Sequence, residues 1–399
     1  MIPTLIPIQT TYPDMPKRDT KWITTALALS TASTGPQLVA LSLLMPEISA
    51  ALNAPITQLG QLNTAFSIVA IAGSILMGAI TVRYPPKRLL VAGISTLLIG
   101  LVGASLSTGF THMVLFFILY GAGTSLTLPI VSILLVLYPQ QERTTALGRI
   151  YSGRSLTSIL ATPFLGFLAA TYGWRIGYIG FGAPLILLAI IFVSAKIPEQ
   201  PTSQGNIDLM SGYRKIAANR SALACIAGAA LSLAFFNSLI VFNGTYMRNY
   251  LGLSLETASL AMSVTFIAIA VGQVISGALA DRLGIKTTTW LSTLIGGVSL
   301  LLYFSVELPV AVAIFASAVG TGMAGTTMTT MATLALEQVP DSSGTMMSLN
   351  SAAMNTGGML STVIGGVAIS SLGFTGYGAI MFIISLAAAI TFFVWTREP

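Results

Sequence analysis

The chain has 399 residues, of which 54% are hydrophobic and only 8% charged, with a formal net charge of +6. That balance lies outside the range of soluble globular domains and describes an integral membrane protein. One cysteine, Cys225, leaves no intramolecular disulfide or thiolate metal cluster, and it reads as a small packing residue in an apolar run.

Residues 1–21, with Pro3, Pro7, Pro13 and Pro16 and no cleavage pattern after a compact apolar core, read as a cytoplasmic tail rather than a removable signal. Apolar runs follow at 22–44, 57–82, 88–107, 111–137, 144–171 and 176–195, making a six-helix half over 22–195. Each is long enough for an α-helix to cross a hydrocarbon core of about 30 Å. A β-barrel would show short alternating segments instead. Residues 196–220, containing KIPEQPTSQGNIDLMSGYRK, are the longest polar stretch and read as a cytoplasmic linker. Runs at 221–246, 254–280, 286–304, 309–336, 343–371 and 374–395 make a second half over 221–399, ending in a short cytoplasmic tail. The expected fold class is therefore an all-α membrane protein with twelve transmembrane helices in two pseudo-symmetric halves.

The basic residues mark topology rather than a nucleic-acid partner. Lys17, Lys21, Arg83, Lys87, Arg88, Arg143, Lys196, Arg214, Arg220, Arg282, Lys286 and Arg397 fall at alternate helix ends, whereas the other loops hold only Arg175 and Arg248. The positive-inside rule then places both termini in the cytoplasm of a multi-pass protein of the cytoplasmic (inner) membrane. The halves also repeat at an interval of about 200 residues: Gly78 answers to Gly277, Arg83 to Arg282, Lys87 to Lys286, Gly166 to Gly365 and Gly173 to Gly373. Parallel repeats with a site between them near the midplane are an architecture of secondary transporters.

The most specific string is GALADRLGIK, with its degenerate copy GAITVRYPPK. It resembles the loop signature of the major facilitator superfamily. Gly277, Asp281, Arg282, Gly284 and Lys286 match, whereas Val82 and Pro85 depart from the pattern in the first copy, which keeps Gly78, Arg83 and Lys87. Such glycines permit close helix approach and a tight turn, and the charges can latch the halves in one state. The other reading of Arg282 and Lys286, as topological anchors, stays open. TPFLGFLAATYGWR and LLMPEISAALNAPITQLGQLNTAFSI resemble the sugar and arabinose efflux-like members of the drug and metabolite proton antiporter branch. Thr162 and Phe167 stand where that pattern has glycines, and Pro163 is expected to kink its helix.

One charge lies inside a span. Along GRIYSGRSLTSIL, Arg149 is about 8 Å into the fifth run and Arg154 about 15 Å, at 1.5 Å per residue. Arg149 can reach back to the interface, but an arginine near the bilayer centre costs about 3 kcal/mol or more and should face a wet cavity or a partner. Tyr151 and Ser158 share its face. Its counterpart in the second half is Met354, so the charge is no part of the repeat. Substrate anchor and structural hydrogen-bonding arginine both remain open readings.

The resemblance implies a central cavity lined by helices one, four, seven and ten, with faces of two, five, eight and eleven. It nominates Thr34, Gln37, Asn63, Phe66, Tyr120, Thr124, Phe236, Asn237, Asn243, Gln273, Asn350 and Asn355, each of which would otherwise be polar or aromatic interhelical packing. No aspartate or glutamate lies inside a span, so proton coupling falls to a helix-end acid, Glu142 or Glu47. The expected function is secondary active transport of a small organic solute, as proton-coupled efflux of a metabolite or drug-like compound. Organic-anion uptake or exchange through Arg154 is the alternative. An intramembrane enzyme is disfavoured, since His112 is the lone histidine and no carboxylates cluster. Expected partners are a small-molecule substrate and the lipid bilayer, with a proton as coupling ion, no cofactor, no metal, no nucleic acid and a monomeric state.

Overall fold

The computed structural model describes residues 17–134, 143–199, 209–339 and 343–397. They form α1 (Lys17–Ala32), α2 (Pro36–Leu52), α3 (Ile56–Arg83), α4 (Pro86–Ser105), α5 (Phe110–Ile133), α6 (Arg143–Tyr172), α7 (Trp174–Gly180) and α8 (Gly182–Lys196). The second half holds α9 (Leu209–Ala218), α10 (Arg220–Asn249), α11 (Leu255–Leu283), α12 (Ile285–Ser305), α13 (Val310–Gln338) and α14 (Ser343–Trp395). Over the described residues, every apolar run expected from the sequence falls on one helix or two successive ones. Among the described residues, nine helical stretches are long and apolar enough to cross a membrane.

The departures have local causes. The first run is interrupted between α1 and α2, because Pro36 lacks an N–H and its ring crowds the preceding turn. The linker is partly helical: α9 lies inside it, and Asn219 then caps α10 by accepting from the backbone N–H groups of Ser221 and Ala222 at 3.0 and 3.2 Å. The last two runs are joined without a loop, since α14 bends only at Gly373, whose φ of 68° suits glycine. Pro163 lies inside α6 without ending it.

The repeat is visible in the backbone. Gly173, between α6 and α7, has φ 88°, matching the bend at Gly373 in the other half. Gly284, between α11 and α12, has φ 85°, so this glycine of the loop signature meets a conformational need. Gly277 does not fit its expected role, because a Cβ there would meet nothing within 4 Å. Close approach occurs elsewhere: Gly272 abuts the Gly322 backbone and Gly325 that of Ile269, which packs α11 on α13.

Two ends of the bundle differ. One carries Arg83, Lys87, Arg88, Lys196, Arg220, Arg282 and Lys286, and is called the basic end below. The halves meet toward the other end, where α2 packs on α10, α3 on α14 and α6 on α11.

Candidate functional site

The face of α6 locates the site. Leu156, Leu160, Phe164 and Phe167 are exposed apolar side chains along one side, suited to lipid. Ile150, Thr157, Ser158, Ala161 and Leu165 are buried along the other. With about 100° between successive residues, Arg154 falls in the middle of the buried arc. It is nevertheless exposed. Its side chain thus reaches solvent from the bundle-facing arc rather than from the lipid-facing one. Gly153 brings α6 against α1, where a Cβ would lie 3.1 Å from the Ala28 Cβ. Ser158 donates to the Arg154 carbonyl at 3.2 Å, and a Cβ on Gly35 would touch the Ser158 Oγ at 3.5 Å.

Tyr120 connects this face to the interruption between α1 and α2. Its hydroxyl, on α5, donates to the Ser33 carbonyl at 2.7 Å. The Arg154 guanidinium is near enough to act on this hydroxyl electrostatically. The hydroxyl thus satisfies a carbonyl at the interruption of the helix. Gln37 itself is 2% exposed, and neither Nε2 nor Oε1 of its side chain has a hydrogen-bond partner.

Other nominated residues act as connectors. Asn63 on α3 donates to the Gly358 carbonyl of α14 at 3.4 Å, across the halves, and Asn237 reaches the same carbonyl at 3.2 Å from α10. Asn243 accepts from the Tyr303 hydroxyl at 2.8 Å inside the second half. Asn350 is buried, with Nδ2 on the Met354 sulfur and Oδ1 unpaired. Gln273 and Asn355 are half-buried on α11 and α14. Thr34 and Thr124 bond back to their own helices, Phe66 packs 6.3 Å from Tyr120, and Phe236 is buried. Tyr151 and Gly78 lie on α6 and α3 with surroundings outside the described residues, and Glu142 lies outside them altogether.

Hydrogen bonds across the halves join Ser42 to the Ile240 carbonyl at 2.6 Å, Thr64 to Thr362 at 2.9 Å, and Arg248 to the Leu43 carbonyl at 3.3 Å. Arg248 also pairs with Glu47, their side chains 18% and 27% exposed. All of these, with the Asn63 bond, lie away from the basic end. Glycines deepen the seam there: Gly244 abuts the Ser42 backbone, and a Cβ on Gly166 would meet the Ser259 Oγ at 2.5 Å. In the repeat of that contact it is Gly366 that faces Thr57, at 3.1 Å, whereas Gly365, the expected counterpart, packs within its own half against Ser238 and Phe242. At the basic end Asp281, Arg282 and Arg83 are exposed, and Lys87 is half-buried. Lys286 lies over the Phe393 ring at 5.9 Å. No ion pair among the described residues joins the loop-signature charges to the other half.

The sequence reading missed Ser42, Arg248 and the interruption at Pro36. One signal could have found the ion pair: its partners are 201 residues apart, nearly the repeat interval.

Comparison with known proteins agrees with this architecture. A family model described as Major Facilitator Superfamily matches residues 25–246 and 224–399. The cis,cis-muconate transport protein of Acinetobacter baylyi is 26% identical over 270 residues, 64% of this chain and 64% of its own length, so the match spans under two thirds of that protein. The hexuronate transporter of Bacillus subtilis is 26% identical over 314 residues, 74% of this chain and 70% of its own. A solved structure of a bacterial homolog to the human lysosomal transporter Spinster, inward-facing and unoccupied, superposes with a TM-score of 0.76 at 16% identity over 96% of each chain. With both halves matched and the fold shared almost end to end, the protein belongs to the major facilitator superfamily of secondary transporters.

Proposed function

We propose that the protein carries a small organic acid across the membrane by alternating access, with Arg154 as the carboxylate anchor. The observation behind this reading is that Arg154 is exposed on the otherwise buried arc of α6. A guanidinium at membrane depth is expensive unless it faces water or an anion, and its planar fork matches a carboxylate in two parallel hydrogen bonds. A substrate carboxylate is the charge complementary to a guanidinium in such a position. The two relatives named above support the same class, since muconate and hexuronate are both carboxylates. This favours the organic-anion alternative over drug-like efflux. By the positive-inside rule the basic end faces the cytoplasm in this reading, and the contacts between the halves described above lie at the opposite end.

Proton-coupled export is a second reading, favoured by the position of Glu47. Its carboxylate is tied to Arg248 at the seam, so the opening of that end and the freeing of this acid are one event.

The test is ligand-dependent thermal stability of wild type and Arg154→Gln against anionic, zwitterionic, cationic and neutral compounds. A ligand at a hundred times its Kd stabilises the native state by about 2.7 kcal/mol, whatever the transport rate. Organic acids should stabilise wild type and lose that effect in the folded variant. Neutral or cationic ligands stabilising both proteins equally would remove the organic-acid reading and leave the efflux reading standing.

A further inference from the structure

Gln37 is the one buried side-chain amide, among the described residues, with neither its donor nor its acceptor paired, and it is 2% exposed. Protein interiors rarely leave both ends of an amide without partners, because the lost hydration is not recovered. The neighbouring polar groups are already committed. Tyr120 gives its hydroxyl hydrogen to Ser33, Thr34 bonds to the Thr31 carbonyl, and Ser158 bonds to the Arg154 carbonyl. Leu38 and Val39 pack on as the next residues of α2, so local structure supplies Gln37 with nothing further.

Its position ties it to the proposed anchor. Tyr120 donates to Ser33 at the same interruption, four residues before Gln37, and Gly35, two residues before Gln37, lies against Ser158, one turn along α6 from Arg154. Pro36 fixes where α2 begins, so Gln37 sits at the interruption rather than partway along a continuous helix.

We infer that Gln37 is the second recognition group of the substrate site, reading a hydroxyl on an organic acid whose carboxylate is held by Arg154. The inference rests on the organic-acid reading and narrows it. A primary amide offers two donors and an acceptor. A hydroxyl, which both donates and accepts, satisfies both sides of it. A second carboxylate satisfies only the N–H side and sets its charge against Oε1, and a methylene satisfies neither. The substrate class is therefore a hydroxylated monocarboxylate, such as a sugar acid or hydroxy acid, in preference to a plain or dicarboxylic acid of the same size. Sites built to hydrogen-bond a substrate hydroxyl reject analogues that lack it, because their own polar groups are then left unpaired.

The experiment uses the full-length protein with three probes: glucuronate, cyclohexanecarboxylate and adipate. In wild type, glucuronate should produce half-maximal thermal stabilisation at a concentration at least about tenfold lower than either other acid, a difference of about 1.4 kcal/mol. In Gln37→Met, which keeps the length and removes the amide, that ratio should collapse to about threefold or less through loss on the glucuronate side. The ligand-free variant should melt no lower than wild type, since an unpaired group has been removed; a purely structural amide would lower it. Absence of the preference in wild type, or its survival in Gln37→Met, overturns the inference. The wild-type arm decides even where the variant does not fold. Arg154→Gln separates the two levels: loss of all three acids there with no hydroxyl preference in wild type sinks only the role of Gln37. Undiminished binding of all three in Arg154→Gln sinks the organic-acid reading and the inference with it.

Discussion

The two ends of the seam between the halves are built from different materials. Away from the basic end, glycines, short hydroxyls and one ion pair bring backbones together, with Gly60 so close to Phe242 that a Cβ would lie 2.8 Å from the ring. At the basic end, Arg83, Asp281 and Arg282 of the loop signature are exposed, with Lys87 and Lys286 half-buried. Contacts that hold one end shut are therefore short-range and steric, whereas those available to the other are long side chains with charged tips. A rocking motion that opens the first end must separate packed backbones, and one that closes the second must bring charges together.

That contrast can be broken in order of expected effect. Gly244→Val forces a branched side chain into the Ser42 backbone, and overpacking of this kind costs about 1–3 kcal/mol. A cysteine at Ser42, in a Cys225→Ala background, should become several-fold more reactive to an impermeant maleimide; unchanged labelling would mean the glycine seam does not hold that end. Glu47→Gln or Arg248→Gln leaves a partly shielded charge without its partner, a loss of about 1–2 kcal/mol to the closed end. The exchanged pair, Glu47→Arg with Arg248→Glu, should restore labelling toward wild type in a double-mutant cycle. Thr64→Val deletes one hydroxyl contact with Thr362, and interhelical bonds of this type average about 0.6 kcal/mol. Asp281→Asn should be smallest, within about 0.5 kcal/mol, because the side chain is exposed in this state. A larger change in Ser42 labelling for Asp281→Asn than for Thr64→Val would reverse the proposed division of labour.

Hydropathy made the helices legible, since a membrane span must satisfy its own backbone and be apolar over most of its length. It concealed what happens inside a span. The Gly35-Pro36 dipeptide announces the interruption, yet the surrounding apolar run reads as continuous. The short helix at Leu209–Ala218 was hidden by its polar, proline-bearing flank, although Leu209, Met210, Tyr213 and Ile216 recur at helical spacing. At the site, Arg154 was legible because a charge in an apolar run violates a strong rule. Asn63 and Asn237 were legible as interhelical connectors but not as users of a single carbonyl, which only the fold brings within reach of both. That Gln37 lacks partners is a property of its neighbours in space, invisible in a list of residue types.

The ion pair at the seam has a further consequence. Glu47 and Arg248 stand 201 residues apart, so they occupy nearly equivalent places in the two repeats. Two identical copies would set like against like at that point, acid facing acid or base facing base. Opposite charges there mean that each half complements the other better than it complements itself. The halves made as separate polypeptides should then assemble as a mixed pair in preference to either matched pair, and the duplication has become a partnership of unequal members.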